Sequence, residues 1–403
     1  MGRSRLPLAI VVAVATAAVA TFLLRPRHGL IEPAPVDVEQ YFTALELERA
    51  EDFRGLQRVL GLAGLGVGVA TLAVLAWRPP ERLLARLERR PHRGGAAAAA
   101  GISLLLVATG LPIRAWMRAR ALDVGLATQA WPDWAVDVLK AAGIGAVIAA
   151  VGGLAAVALL RRFPRRWWVP GAGLAALYGV VTIWLYPVVI DPVFNDFEPL
   201  PRGQLRADVL ELARRAGVDV GEVYRVDASR RTSAANAYVS GLGRSKRVVL
   251  YDNLIDEFPR DEVRLVVAHE LGHQKHGDLL RGLAWLALVA PAGTFLTQAL
   301  AERLRGRAPL RGPGDLPAVA LAVTIAAFAL GSAANVLSRQ VEARADAFAL
   351  DQTRDPDAFI RFERRISVRN VSDPDPPRLP HLLFGTHPTT IERIGIGEAW
   401  RPG

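Results

Sequence analysis

The 403-residue sequence predicts a mostly α membrane protein: about seven transmembrane helices, with a small α+β domain placed among them. Three observations carry this. Hydrophobic residues make up 51% of the chain and mean hydropathy is positive, more apolar than a water-soluble domain usually is. The apolar residues gather into runs long enough to cross a hydrocarbon core of about 30 Å as helices. One stretch of ordinary globular polarity separates the fifth run from the sixth.

In order, the runs are Pro7–Leu24, Val59–Trp77, Ala96–Leu111, Val138–Leu160, Trp167–Val189, Leu283–Leu300 and Leu316–Leu337. The third is the shortest. Their ends carry Arg and Trp, as in LLRPR, AWRPPER and LLRRFPRRWW, which suits anchoring at a membrane interface. The first run has a second reading, because a basic head, an apolar middle and small residues at the end also describe a secretory signal. Its length and the further spans favour a retained helix.

A net charge of +10 raises the question of nucleic acid, yet the arginines cluster beside the apolar runs and no aromatic-basic motif occurs. A lipid bilayer is the expected partner and nucleic acid is not; nothing asks for more than a monomer. The chain has no cysteine, which excludes disulfides, thiolate nucleophiles and cysteine-ligated metal. Any metal must use histidine and carboxylate. In the short loops, sixteen arginines from Arg3 to Arg311 fall on the side of the N-terminus and eight on the other. By the positive-inside rule that places the polar insertion outside the cytoplasm.

The insertion, Asn195–Arg281, opens with a helix, since Leu205, Val209, Leu210 and Leu212 recur at helical spacing and Gly217 suits its end. EVYRVDAS and ANAYVSG alternate like strands. KRVVLY follows after GLGRS, a loop suited to a hairpin. Beyond the last run, Ser338–Gly403 is polar again, with the proline-rich SDPDPPRLPHLL expected as a surface loop. The chain thus divides into a membrane part with five helices (1–195), an insertion ending in a helix (196–281), two further spans (282–337) and a C-terminal segment (338–403).

The insertion's last helix contains VVAHELGHQKHGD. His269 and His273 lie one turn apart on one face, near enough for both imidazoles to reach one ion. Glu270 follows directly, where zinc peptidases place the base that deprotonates the attacking water. With seven histidines in the chain, a chance H-E-x-x-H is improbable, on the order of 0.01 per chain. The plainer alternative is a solvated helix face. A catalytic zinc needs a third protein ligand. His276 lies about 10 Å along the axis from His269, too far for the same ion. In SRQVEARADAFAL, Glu342 and Asp346 share a helical face, a spacing that lets Glu342 ligate while Asp346 accepts a hydrogen bond from a ligating histidine. An exposed acidic pair balanced by Arg339 and Arg344 remains the alternative.

These residues resemble the integral-membrane zinc metallopeptidases of the CAAX prenyl protease type 1 family. The resemblance runs through GLATQAWPDWAVDVLK, YPVVIDPVFNDFEPLP, SAANAYVSG, HELGH, SRQVEARAD and THPTTIERI. It implies seven spans around a chamber capped by the zinc domain, one Zn2+ per chain, Glu342 as third ligand and Asp346 as its supporting carboxylate. It further implies that His387 and Arg393 stabilise the oxyanion and that Asn236 holds substrate backbone by strand addition. The implied activity is a zinc metalloendopeptidase of the cell membrane acting on peptides or on membrane-anchored or lipidated proteins, in CAAX-type processing or quality control. A transporter or scaffold with a structural zinc is the alternative of another class. The resemblance also places the zinc domain on the cytosolic side, against the arginine count.

Overall fold

The computed structural model describes residues 5–241, 246–306 and 309–402. The membrane part begins with α1 (Arg5–Leu24), α2 (Ala44–Trp77), the short α3 (Glu81–Glu88), α4 (Pro91–Asp123), α5 (Trp131–Arg162) and α6 (Trp168–Leu185). A π-turn at Tyr186–Ile190 leads into α7 (Asp191–Phe194). The insertion follows as β1 (Phe197–Pro199), α8 (Gln204–Ala216), β2 (Glu222–Val226), β3 (Ala237–Ser240), β4 (Arg247–Tyr251), α9 (Asp252–Glu257) and α10 (Arg260–His276). The chain ends with α11 (Asp278–Arg305), α12 (Leu316–Thr353), α13 (Pro356–Arg369), α14 (Arg378–Phe384) and α15 (Thr390–Ala399).

Among the described residues seven helices are long and apolar enough to span a membrane, and they coincide with the seven runs, the fifth starting one residue late at Trp168. Several outgrow their run. α2 starts well before Val59 because Thr43 and Glu46 form a capping box, each side chain accepting from the other's backbone N–H. The shortest run lies within the 33-residue α4. α12 carries the seventh run onward through Glu342 and Asp346 as one unbroken helix of 38 residues.

Outward side chains such as Leu139, Val147 and Val151 are among the most exposed apolar residues, the surface that a bilayer covers. Inside the bundle, small residues let helices touch. Ala9, Ala13, Ala17 and Ala20 form a buried stripe on α1 against Val289, Ala292 and Leu296 of α11 and Leu330 of α12. α4 and α5 cross so closely that a Cβ on Gly153 would stand 2.4 Å from the carbonyl oxygen of Gly95.

The sheet has the order β1-β2-β4-β3, with β2 parallel to β4 and the other pairs antiparallel. β3 is therefore an edge. It pairs with β4 from Ala237 opposite Leu250 to Ser240 opposite Arg247, the hairpin expected from sequence. Of the connecting GLGRS, residues 242–245 lie outside the described residues, as do Arg3 and Arg307 of the arginine count. α8 and α10 pack on the sheet through Val209, Leu212, Val248, Leu250, Val263, Val267 and Leu271, and Gly217 ends α8 with a φ of +68°.

Two details depart from the sequence reading. The three-residue β1 carries too short a pattern to be seen. Half of SDPDPPRLPHLL is the helix α14 instead of loop: Pro380 falls in its first turn, where a missing N–H costs nothing.

Candidate active site

α10 carries two histidines and α12 the glutamate that meets them. The helices can approach because Gly272 has no side chain; a Cβ there would lie 3.1 Å from the Phe348 ring and 3.4 Å from Ala345 Cα. His269 and His273 bring their Nε2 atoms 3.2 Å apart. Glu342 Oε2 is 3.2 Å from Nε2 of His269, and its Oε1 is 3.6 Å from Nε2 of His273.

The orientation of both rings is set from behind. Nδ1 of His269 donates to Asp346 at 2.8 Å, and Nδ1 of His273 donates to Asp278 at 3.1 Å. With the protons on Nδ1, both Nε2 lone pairs face the Glu342 carboxylate. Three electron-pair donors thus converge, and Glu342 Oε2 is buried with no aligned hydrogen-bond donor. The cluster demands positive charge: burial opposes protonation of His269, yet the Asp346 and Glu342 carboxylates push it up to about 10. A cation meets the same demand. A tetrahedral ion bound at about 2.05 Å sets its ligand atoms about 3.3 Å apart, close to the spacing observed. The residues present fit a catalytic metal.

Glu270 projects between two cavities. One, of about 780 Å³, has an apolar wall of Trp184, Pro187 and Val188 from the fifth span and a polar wall that includes Tyr238, Glu270, His273 and Glu342. The other, of about 440 Å³, is lined by Asn236, His269, Glu270, His387 and Arg393 among others. Burial pushes the Glu270 carboxyl above the usual carboxylate range.

The remaining expected residues gather here too, in differing postures. Asp346 is fully buried, so the exposed acidic pair does not exist; Arg339 donates to backbone carbonyls of α14 and its end, and Arg344 pairs with Asp278. Asn236 is exposed at the head of the edge strand β3, its Oδ1 accepting from Ala237 N–H. His387 is well exposed, with Nε2 3.4 Å from Glu342 Oε2. Arg393, expected from the resemblance to stabilise the oxyanion, is engaged by two carboxylates. Its Nε and one terminal nitrogen grip both oxygens of Asp346 at 2.8 and 2.5 Å, and the same terminal nitrogen lies 3.0 Å from Glu363. Burial alone would lower its pKa, but these carboxylates overrule burial and hold it well above the usual value. His276 is no part of the cluster; it packs edge-on against Phe348.

Sequence reasoning missed Asp278, Glu363 and Asp191. Asp191, at the end of the fifth span, accepts from the Tyr238 hydroxyl at 2.6 Å and so ties the edge strand to the membrane part. Asp278 had a signal: it follows Gly277, whose φ of +63° ends α10 and folds the next residue back toward His273. For Glu363 there was none.

A base beside converging metal ligands, at the end of a bundle of apolar helices, belongs to the integral-membrane metallopeptidases. Within that class the chain is a member of peptidase family M48, which matches residues 199–399. Residues 92–196 match the family described as CAAX prenyl protease N-terminal, five membrane helices. The uncharacterized metalloprotease YhfN of Bacillus subtilis is 32% identical over 74% of this chain and 71% of its own. The CAAX prenyl protease 1 homolog of Arabidopsis thaliana is 32% identical over 54% of this chain, and the match spans about half of that relative, 53%. The crystal structure of S. mikatae Ste24p has the same fold, with a TM-score of 0.73 at 18% identity over 98% of both chains. The protein is a multi-pass membrane metallopeptidase, and family membership does not favour a transporter or scaffold.

Proposed function

We propose that the protein is a zinc endopeptidase of the cell membrane, acting as a monomer on extended segments of membrane-anchored or lipidated proteins. The observation that carries this is the convergence of His269, His273 and Glu342 beside Glu270, where a half-apolar cavity meets a polar one. In this reading residues 1–195 and 282–337 form the membrane part, and 196–281 and 338–403 supply the catalytic groups.

His269, His273 and Glu342 would hold one Zn2+. Bound there, zinc supplies Lewis acidity that brings water toward ionisation near neutral pH and polarises a carbonyl. Glu270 takes the proton from the attacking water on its carboxylate and returns it to the departing amine nitrogen. His387, the more accessible partner across the cluster, donates to the carbonyl oxygen as negative charge gathers on it. Asn236 and the outer edge of β3 hold the substrate main chain extended, which makes recognition tolerant of side chains. Arg393 acts through Asp346, fixing the carboxylate that fixes His269. The apolar wall from the fifth span suits the lipid or membrane segment next to the scissile bond, the kind of substrate that the names of the CAAX relatives describe for those proteins.

One comparison tests this. In proteoliposomes, a peptide carrying a lipid anchor should be cut in preference to the same peptide without it, and Glu270→Gln should abolish both activities. Equal turnover of the two peptides would remove the anchored-substrate reading. Undiminished turnover by Glu270→Gln would remove the mechanism.

A further inference from the structure

The two histidines are held by different parts of the molecule. His269 leans on Asp346 of α12, as the sequence suggested. His273 leans on Asp278, which opens α11, and the link exists because Gly277 turns the chain back within a single residue. The Asp278 side chain is only 8% exposed. Its other oxygen is shared by two guanidinium groups, Arg344 of α12 in close contact and Arg281 of α11 at 3.3 Å. Arg281 has a second partner: it also donates to the carbonyl oxygen of Leu24, the last residue of α1. The first span is fastened at the same point again, where Trp285 Nε1 donates to Thr21 Oγ1 at 3.0 Å and Thr21 donates to the carbonyl of Ala333 on α12.

We propose that Asp278 is the positioning residue for His273 and that Arg281 couples this ligand to the end of the first membrane helix. The inference rests on the ligand reading above. An imidazole presents Nε2 to a metal only when its proton sits on Nδ1, and a carboxylate at Nδ1 enforces that tautomer and the ring plane. A carboxylate so deeply buried needs compensating charge, which Arg281 and Arg344 supply. The carbonyls of the last turn of a helix have no partner within it, so the Leu24 carbonyl is free to hold Arg281 in place. The geometry of a metal ligand on α10 therefore depends on a span that ends some 250 residues earlier.

The experiment is zinc affinity of the full-length protein in detergent, measured by competition with a chelating dye. Thermal unfolding of the zinc-free forms monitors the fold. Glu342→Ala is the reference for loss of a ligand. Asp278→Asn should weaken zinc binding about 10- to 100-fold, the usual effect of removing a carboxylate behind a ligating histidine. Asn loses only a negative charge in the first turn of α11, so a role in starting that helix alone would lower the unfolding temperature slightly and leave zinc affinity unchanged. Asp278→Glu, which restores the charge, should recover part of the loss. Arg281→Gln should weaken zinc severalfold although it touches no ligand. Zinc affinity within twofold of the parent in Asp278→Asn, with Glu342→Ala depleted, overturns the positioning role alone. Unchanged affinity in Arg281→Gln overturns the coupling to α1. Full zinc retention by Glu342→Ala overturns the ligand reading and the inference with it.

Discussion

Replacing Arg393 by methionine keeps most of the side-chain volume and removes the charge between two buried carboxylates. Asp346 is completely buried and the Glu363 side chain is 2% exposed. Deleting one member of such a group leaves charge uncompensated away from water, at about 3–5 kcal/mol. A surface pair such as Arg214–Glu211 contributes only about 0–1 kcal/mol. The deficit should depend on pH. Burial already pushes Glu363 up to about 7, and a carboxyl raised in the folded state adds stability below its unfolded pKa and loses it as pH rises through the folded one. Without Arg393 that value climbs further, so Arg393→Met should be least impaired near pH 5 and most impaired near pH 8. The double variant Arg393→Met/Glu363→Gln removes one of the stranded charges and should recover part of the loss while flattening the pH dependence. Thermal unfolding of the purified protein at both pH values measures all of this. An Arg393→Met protein as stable as the parent at both pH values but inactive would refute the reasoning and restore Arg393 to the oxyanion, where the family resemblance had placed it.

Gly153→Leu should destabilise the α4–α5 pair by about 1–3 kcal/mol or more, since its Cβ would enter the space of the Gly95 carbonyl; an unchanged unfolding temperature would show that the helices yield freely. A reporter fused after Gly403 reads the orientation, on which the arginine count and the family resemblance disagree. We expect activity from a reporter that works in the cytoplasm, and activity solely from one that works after export would reverse the assignment.

What was legible in the sequence followed the range of the pattern. The spans and α8 repeat over many residues, and His269 and His273 are bound to meet because they stand one turn apart on a single helix. Glu342 was different. Its helix could be read locally, but which side chain it faces depends on two helices approaching at Gly272, and only the family resemblance carried that far. Arg393 was placed near the site by resemblance, but its pairing with Glu363 was not legible, because Glu363 lies on another helix in a segment with no motif. Asp278 escaped because its contact with His273 is made by the turn at Gly277, which helical spacing does not describe.

The unbroken length of α12 makes it a ruler. Glu342 stands 26 residues beyond Leu316, about 39 Å along the axis at 1.5 Å per residue, and the hydrocarbon core is about 30 Å thick. If the span enters the hydrocarbon at Leu316, an upright helix carries Glu342, the proposed metal ligand, about 9 Å beyond the oily layer. Because span and ligand share one unbroken helix, that height is set by helix length. A peptide bond fewer than about three extended residues from its anchor, at roughly 3.3 Å each, falls short unless the anchor is drawn up out of the bilayer. For the anchored substrates proposed above, the distance between anchor and cut is set by the length of a single helix.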